Sequence, residues 1–157
     1  KGTKTQMSSQ ATTSGTSKDF TGIPSWVKRI TITFSGCSTS GASPPIVQLG
    51  SGSPTTTGYT AYYYAAGFSV GATMTAGFLW GSGNANNLVY GHMILTNLSG
   101  NIWISSTNVA IFDGSSRAAQ NGGGVVTLGG VLDRIRITTV NGTDTLDAGT
   151  VGVLYEG

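Results

Sequence analysis

The sequence is poor in charge. Its 157 residues include 8 lysines and arginines and 6 aspartates and glutamates, which together make 9% of the chain. Ordinary globular domains carry roughly 25% charged residues. The formal net charge is +2 and no block of basic residues occurs. Electrostatic capture of nucleic acid needs such a block, so we expect no nucleic-acid partner.

Cysteine and histidine each occur once, as Cys37 and His92. A single cysteine forms no disulfide within the chain, and one residue of each type cannot fill a structural zinc site. His92 lies in a predicted strand and no nucleophile elbow is present, so a hydrolytic triad is not indicated. The favoured role for His92 is a pleat-facing or interface side chain. We expect no metal, no cofactor and no enzymatic activity.

The acidic residues offer two interpretations where Asp144 and Asp147 follow the Asn141-Gly142 turn. Clustered oxygens suit a hard cation, but the spacing matches no calcium loop. The favoured alternative is that these side chains accept turn-stabilising hydrogen bonds from the backbone. A glycosidase pair of carboxylates is not indicated.

Long apolar runs and helical stripes are also missing. No run of about 18 apolar residues occurs, so we expect no membrane insertion. No segment places apolar residues at the i, i+3, i+4, i+7 spacing of a capped helix. Disorder is disfavoured as well, because aromatic residues make 9% of the chain and Ile, Val and Thr recur in runs.

What remains is typical of a β-protein. Glycine occurs 25 times, which predicts many tight turns. Alternating or β-branched segments predict strands at residues 27–35, 46–49, 88–95, 102–112, 131–140 and 151–155. Residues 120–124 are predicted to form a polar loop, and Asn141-Gly142 a type I′ hairpin turn.

Strands separated by turns at these intervals predict an all-β fold, an antiparallel β-sandwich of jelly-roll-like form. Residues 1–16 are predicted to be an extended lead-in, either a linker or an edge strand. Residues 17–157 are predicted to form a single sandwich domain.

Aromatic residues suggest a recognition surface. Tyr62, Tyr63 and Tyr64 are consecutive, so their side chains alternate along a strand and at least one must leave the core. Trp80 is flanked by glycines that can hold its ring at a loop edge. Flat rings beside hydroxyl and amide groups suit sugars. The candidate carbohydrate-binding residues are Tyr59, Tyr62, Tyr64 and Trp80, and the open alternative is that these rings fill a seam between sheets or subunits.

Three segments carry a family resemblance: residues 20–31, 132–144 and 147–156, with support from 46–51. They resemble the C-terminal domain of bacteriophage tail fibres and tailspikes, whereas residues 53–87 match less well. The resemblance implies a β-sandwich at the far end of a homotrimeric fibre on the virion surface, outside the cell. Such modules bind a host surface glycan or, as the alternative, act as a structural cap that holds the trimer together.

A homotrimer is also favoured by the low charge. Exposed edge strands are usually protected by charged residues or proline, and this chain has few charges. Burying edges and uncharged faces against copies of the same chain solves that problem.

Overall fold

Every regular element among residues 2–157 is a β-strand. The computed structural model describes residues 2–157. The strands in chain order are β1 (Lys4–Gln6), β2 (Gln10–Ala11), β3 (Lys18–Thr21), β4 (Arg29–Thr39), β5 (Pro45–Ser51), β6 (Ser53–Pro54), β7 (Thr60–Ala66), β8 (Val70–Met74), β9 (Phe78–Leu79), β10 (Leu88–Ser99), β11 (Ile102–Phe112), β12 (Arg117–Thr127), β13 (Arg134–Thr139) and β14 (Leu146–Glu156). The expected all-β fold is confirmed.

The strands form two unequal sheets. Nine belong to a large sheet in the order β1-β14-β4-β10-β11-β12-β7-β8, with β2 also paired to β14. Five belong to a small sheet in the order β3-β13-β5-β6, with β9 also paired to β5. All strand pairs are antiparallel. The arrangement fits the predicted antiparallel β-sandwich.

The core lies between the sheets because each strand turns alternate side chains inward. In β4, Ile30 and Ile32 are fully buried and Phe34 nearly so, whereas Thr33 and Ser35 are exposed. In β13, Ile135 and Ile137 are fully buried opposite the side that carries Arg134 and Arg136. Period-2 alternation therefore decides which side of each sheet is the core.

Large aromatic rings fill the space between the sheets. Trp80 stacks on Phe34 with ring centroids 5.0 Å apart and planes 12° apart. Tyr59 meets Phe78 edge to face, with centroids 5.0 Å apart. These four rings are all buried, so they contribute to the fold rather than to the surface.

The lead-in is part of the large sheet. β1 pairs with β14 from Lys4 to Gln6, and β2 pairs with β14 at Gln10 and Ala11. Thr12 is buried, and its hydroxyl donates to the carbonyl of Ala148 at 2.7 Å. Residues 4–12 therefore form an edge of the sandwich.

Two sequence-based predictions of local structure are wrong. Residues 120–124 are not a loop but the middle of β12, where Gly122–Gly124 pair with β11 and β7. Glycine is disfavoured in strands, yet here it permits close contact with the neighbouring strand: a Cβ at Gly124 would lie 2.5 Å from the carbonyl oxygen of Thr60. Tertiary packing thus outweighs local propensity.

The Asn141-Gly142 segment turns the chain but does not form a hairpin. β13 and β14, on either side of it, belong to different sheets. Gly142 has φ +66° and donates from its N–H to the carbonyl of Thr139 at 3.1 Å. Gly142 has the expected positive φ but Asn141 does not, so the predicted type I′ turn is wrong, and the segment makes a corner between the sheets.

No helix among residues 2–157 has the length and apolar character needed to cross a membrane.

Candidate binding surface

Strand β7 divides its tyrosines between the two sides of the large sheet. Tyr63 is 5% exposed, whereas Tyr62 and Tyr64 are 53% and 46% exposed on the outer side. Because Tyr62 and Tyr64 are two residues apart, their rings share one face. We call this pair the tyrosine platform.

Glycines keep the platform open. Tyr62 pairs with Gly123 of β12, and Tyr64 pairs with Gly71 of β8. A Cβ at Gly71 would lie 2.5 Å from the Tyr62 hydroxyl, so that ring extends across the bare backbone of β8. Each ring therefore has one cross-strand neighbour without a side chain, while Thr73 and Asn121 lie beside Tyr62 and Tyr64 on the other strand.

Polar side chains continue the row that starts at Tyr64. In the sheet register Tyr64 pairs with Asn121, Asn121 with Asn108, and Asn108 with His92. All four are exposed. Amide and imidazole groups supply both donors and acceptors, so the platform combines apolar ring faces with adjacent hydrogen-bonding groups.

Two of the four sequence-predicted site residues lie in the core, which excludes them from a surface site. Tyr59 is 2% exposed and Trp80 is 1% exposed. Tyr59 accepts at its hydroxyl from the N–H of Leu49 at 2.8 Å and donates to the carbonyl of Thr55 at 3.0 Å. Burial raises the pKa of Tyr59 to about 12. The indole N–H of Trp80 donates to the carbonyl of Ile46 at 3.1 Å.

An apolar patch that was not predicted from the sequence lies on the outer side of the same sheet. Leu88, Tyr90 and Phe112 line a shallow depression of about 550 Å³. Tyr90 meets Phe112 edge to face at 5.8 Å, and the Arg117 guanidinium lies 5.9 Å from the Phe112 centroid. The signal was present in the alternation of β10, which puts Leu88 and Tyr90 on the same side.

Asp144 links the Asn141-Gly142 turn to the loop before β5. Asp144 accepts from Asn141 Nδ2 at 2.9 Å and from the N–H of Ser43 at 3.0 Å. These bonds hold the pKa of Asp144 below its ordinary value. Asp144 therefore holds the turn to the loop before β5, in line with the role favoured from the sequence, whereas the exposed Asp147 accepts no side-chain hydrogen bond among residues 2–157.

Ion pairs occupy the outer side of the small sheet. Arg136 donates to both oxygens of Asp19, at 2.7 and 2.8 Å, and lowers the pKa of that carboxyl. Arg134 likewise donates to both oxygens of Asp133, at 2.8 and 3.3 Å. In the part of the chain that the structure describes, no group of three or more His, Cys, Asp or Glu side chains is placed to hold a metal ion.

Comparison with known proteins gives no family. No family model matches the sequence. No curated protein matches it either.

Three solved structures share a faint likeness with the chain. An aerolysin-like protein of Bombina maxima is 12% identical with a TM-score of 0.17, covering 85% of this chain and 88% of that one. The infectious bursal disease virus VP2 subviral particle is 11% identical with a TM-score of 0.18, covering 99% of this chain and 38% of that one. An inactive mutant of the CurK dehydratase is 11% identical with a TM-score of 0.17, covering 50% of this chain. The chain spans 23% of the dehydratase's length. Likenesses at these scores carry no argument about function.

Proposed function

We propose that the chain is a non-catalytic module that binds host cell-surface carbohydrate, as the C-terminal part of a phage tail fibre or tailspike. The observation that supports this most is the tyrosine platform. Tyr62 and Tyr64 expose about half of their surface on one face, and polar residues continue the row. Tyrosine is enriched at binding interfaces relative to the rest of a protein surface. The resemblance of residues 20–31 and 132–144 to tail-fibre domains supplies the biological setting.

The chemistry of sugars suits this surface. A sugar ring has an apolar C–H face that packs on an aromatic ring, while its hydroxyls need donors and acceptors nearby. Tyr62 and Tyr64 offer the ring faces, and Asn121 and Asn108 offer the amides in register with them. The platform lies on strands rather than loops, so little ordering is needed on binding.

Ring truncation tests the proposal. On a glycan array, Tyr62→Ala and Tyr64→Ala should each weaken binding by about 1–3 kcal/mol, as aromatic hot spots do at other interfaces. Tyr62→Phe and Tyr64→Phe are the matched controls, because they keep the ring and remove only the hydroxyl. They should retain most of the affinity. Array binding that is equal for the Ala variants and the unmodified chain contradicts the proposal.

A second candidate function is a structural cap that holds a homotrimer, and the apolar patch favours it. Leu88, Tyr90 and Phe112 are 37%, 43% and 38% exposed side by side, and such clusters often mark subunit contacts. A charge placed in the patch by Leu88→Lys should then dissociate the trimer. Sedimentation equilibrium measures this, and a chain that is already monomeric at micromolar concentration contradicts the trimer.

A further inference from the structure

A cleft opens on the opposite side of β7 from the tyrosine platform. Its volume is about 350 Å³, which falls in the range of about 300–1,000 Å³ found for small-molecule sites. It lies among the β4–β5 loop, the β7–β8 turn, the loop before β10 and the turn after β11, which contribute Pro44, Phe68, Asn84 and Asp113. Four separate connections therefore meet at one concave place.

The walls of the cleft are held by the chain itself. A Cβ at Gly83 would collide with the carbonyl oxygen of Ala42, so the two loops touch backbone to backbone. Asn87 Nδ2 donates to the carbonyl and the hydroxyl of Ser82, at 2.8 and 3.0 Å. The backbone N–H of Asn86 is bound by Asn84 Oδ1 at 2.9 Å. The cleft is thus largely formed before any ligand arrives, which reduces the ordering cost of binding.

Three oxygens at the cleft have hydrogen-bonding capacity left over. Tyr63 is 5% exposed, and its hydroxyl has no hydrogen-bond partner among residues 2–157. The hydroxyl oxygen is nevertheless not fully enclosed by the protein. Burial of this ring raises its pKa. Asp113 accepts at Oδ1 from the N–H groups of Ser115 and Ser116, at 3.3 and 2.6 Å, whereas its Oδ2 accepts no hydrogen bond in the described chain. Asn87 Oδ1 is enclosed nearby and also lacks a partner within residues 2–157.

The lining selects the chemistry of a ligand. The oxygen acceptors can be satisfied by hydroxyl groups of a ligand, which donate hydrogen bonds. An apolar wall is formed by Phe68, Val70 and Pro44. None of the described residues that line the cleft is Lys or Arg. The carboxylate of Asp113 therefore disfavours an acidic ligand, since like charges repel.

We propose that this cleft binds one neutral sugar ring, or a polyol of similar size, through the Tyr63 hydroxyl and Asp113. Ligand hydroxyls donate to Asp113 Oδ2 and exchange a hydrogen bond with Tyr63, while a C–H face of the ring packs on Phe68 and Val70. Asn87 holds the loop that forms the base. This site is separate from the tyrosine platform and does not require the platform to bind sugar.

Amide NMR of the ¹⁵N-labelled chain tests the site directly. The probes are methyl α-glucoside, methyl α-galactoside and methyl α-mannoside at millimolar concentration, with glucuronic acid as the acidic counterpart. At least one neutral glycoside should shift the amides of Val70, Gly83 and Asn84. Glucuronic acid should leave them unchanged. Binding by none of the three glycosides, or equal binding of glucuronic acid, overturns the proposal.

Two variants assign the recognising groups. Tyr63→Phe removes one neutral hydrogen bond and should weaken binding in the cleft about two- to tenfold. Asp113→Asn keeps an acceptor for the turn but loses the charge, and should weaken binding about tenfold or more. Tyr155→Phe is the matched control, because it makes the same chemical change in β14, away from the residues that line the cleft, and should leave the cleft affinity as it was.

The outcomes for the two sites are distinguishable. Shifts confined to Asn121 and Gly123 overturn the cleft proposal and favour the platform. Shifts in the cleft that Tyr63→Phe does not weaken also overturn it, provided that the melting temperature shows this variant to be folded. Cleft shifts that Tyr63→Phe weakens, with unchanged array binding by Tyr62→Ala, support the cleft and contradict the platform.

Discussion

The interior of the sandwich and the outer side of the large sheet use the same kind of side chain differently. Inside, Tyr59 and Trp80 are buried and every polar atom of their side chains is hydrogen-bonded. Outside, Tyr62 and Tyr64 leave about half of their surface in water. The interior rings are held by packing and hydrogen bonds, as buried polar aromatics usually are.

The difference in exposure separates rings that stabilise the fold from rings that have surface left to bind a partner. A buried ring stabilises the fold through the area it removes from water, whereas a half-exposed ring keeps much of that area available. The outer tyrosines therefore contribute little to folding and retain surface for a partner. Stability measurements on matched inner and outer variants are the direct way to break this comparison.

The largest contrast is expected between Trp80→Ala and Tyr62→Ala. Trp80→Ala removes a ring stacked on Phe34 and leaves a cavity, so it should lower the free energy of unfolding by about 3–5 kcal/mol. Tyr62→Ala should change it by less than about 0.5 kcal/mol, as surface substitutions usually do. Urea denaturation measures both. If Tyr62→Ala lowers the free energy of unfolding as much as Trp80→Ala, the exposed ring stabilises the fold like a core ring, which contradicts the comparison.

A smaller contrast is expected between adjacent glycines of β12. A Cβ at Gly124 would lie 2.5 Å from the Thr60 carbonyl oxygen and 2.8 Å from the Ala61 Cβ, so Gly124→Ala should cost about 1–3 kcal/mol. At Gly123 the nearest atom would be the Ser105 carbonyl oxygen at 3.3 Å. Gly123→Ala should therefore be clearly milder in the same denaturation assay. Equal losses at the two positions contradict the closer packing of Gly124 against β7.

Much of the fold was predictable because alternation is a local signal. The sequence predicts a strand at residues 102–112 with the observed bounds. It wrongly predicts a loop for the glycine run of β12, because the close contact with β7 is a long-range requirement that local propensity does not contain. It also wrongly predicts a hairpin at Asn141-Gly142, because the sheet to which each flanking strand belongs is decided by distant parts of the chain.

The candidate sites were less predictable. Three consecutive tyrosines in a strand must point alternately to the two faces of the sheet. This predicts at least one exposed ring but does not say which face of the sheet is the outer one. The buried polar groups of Tyr59 and Trp80 are hydrogen-bonded to backbone groups of Leu49, Thr55 and Ile46. These contacts form only when the chain folds, so local sequence does not predict them. The cleft beside Tyr63 is assembled from four separate connections, so no single segment of sequence announces it.

The smallest effect is expected from the strongest polar contact of the outer surface, the ion pair of Asp19 and Arg136. The two hydrogen bonds from Arg136 lower the pKa of Asp19 below 3.8, so the pair stabilises the fold above that pH and loses its contribution as the pH falls through the lowered value. Both side chains are more than a third exposed, 38% and 35%, so solvent limits the contribution to about 1 kcal/mol or less.

Denaturation from neutral pH to pH 3 should show Asp19→Asn less stable than the unmodified chain at neutral pH, with the gap closing in acid. Asp147→Asn is the control, since Asp147 is exposed and forms no ion pair with residues 2–157. If the stability difference between Asp19→Asn and the unmodified chain is as large in acid as at neutral pH, the ion pair is contradicted. If Asp19→Asn loses as much stability as Trp80→Ala, the contrast between interior and surface residues is contradicted.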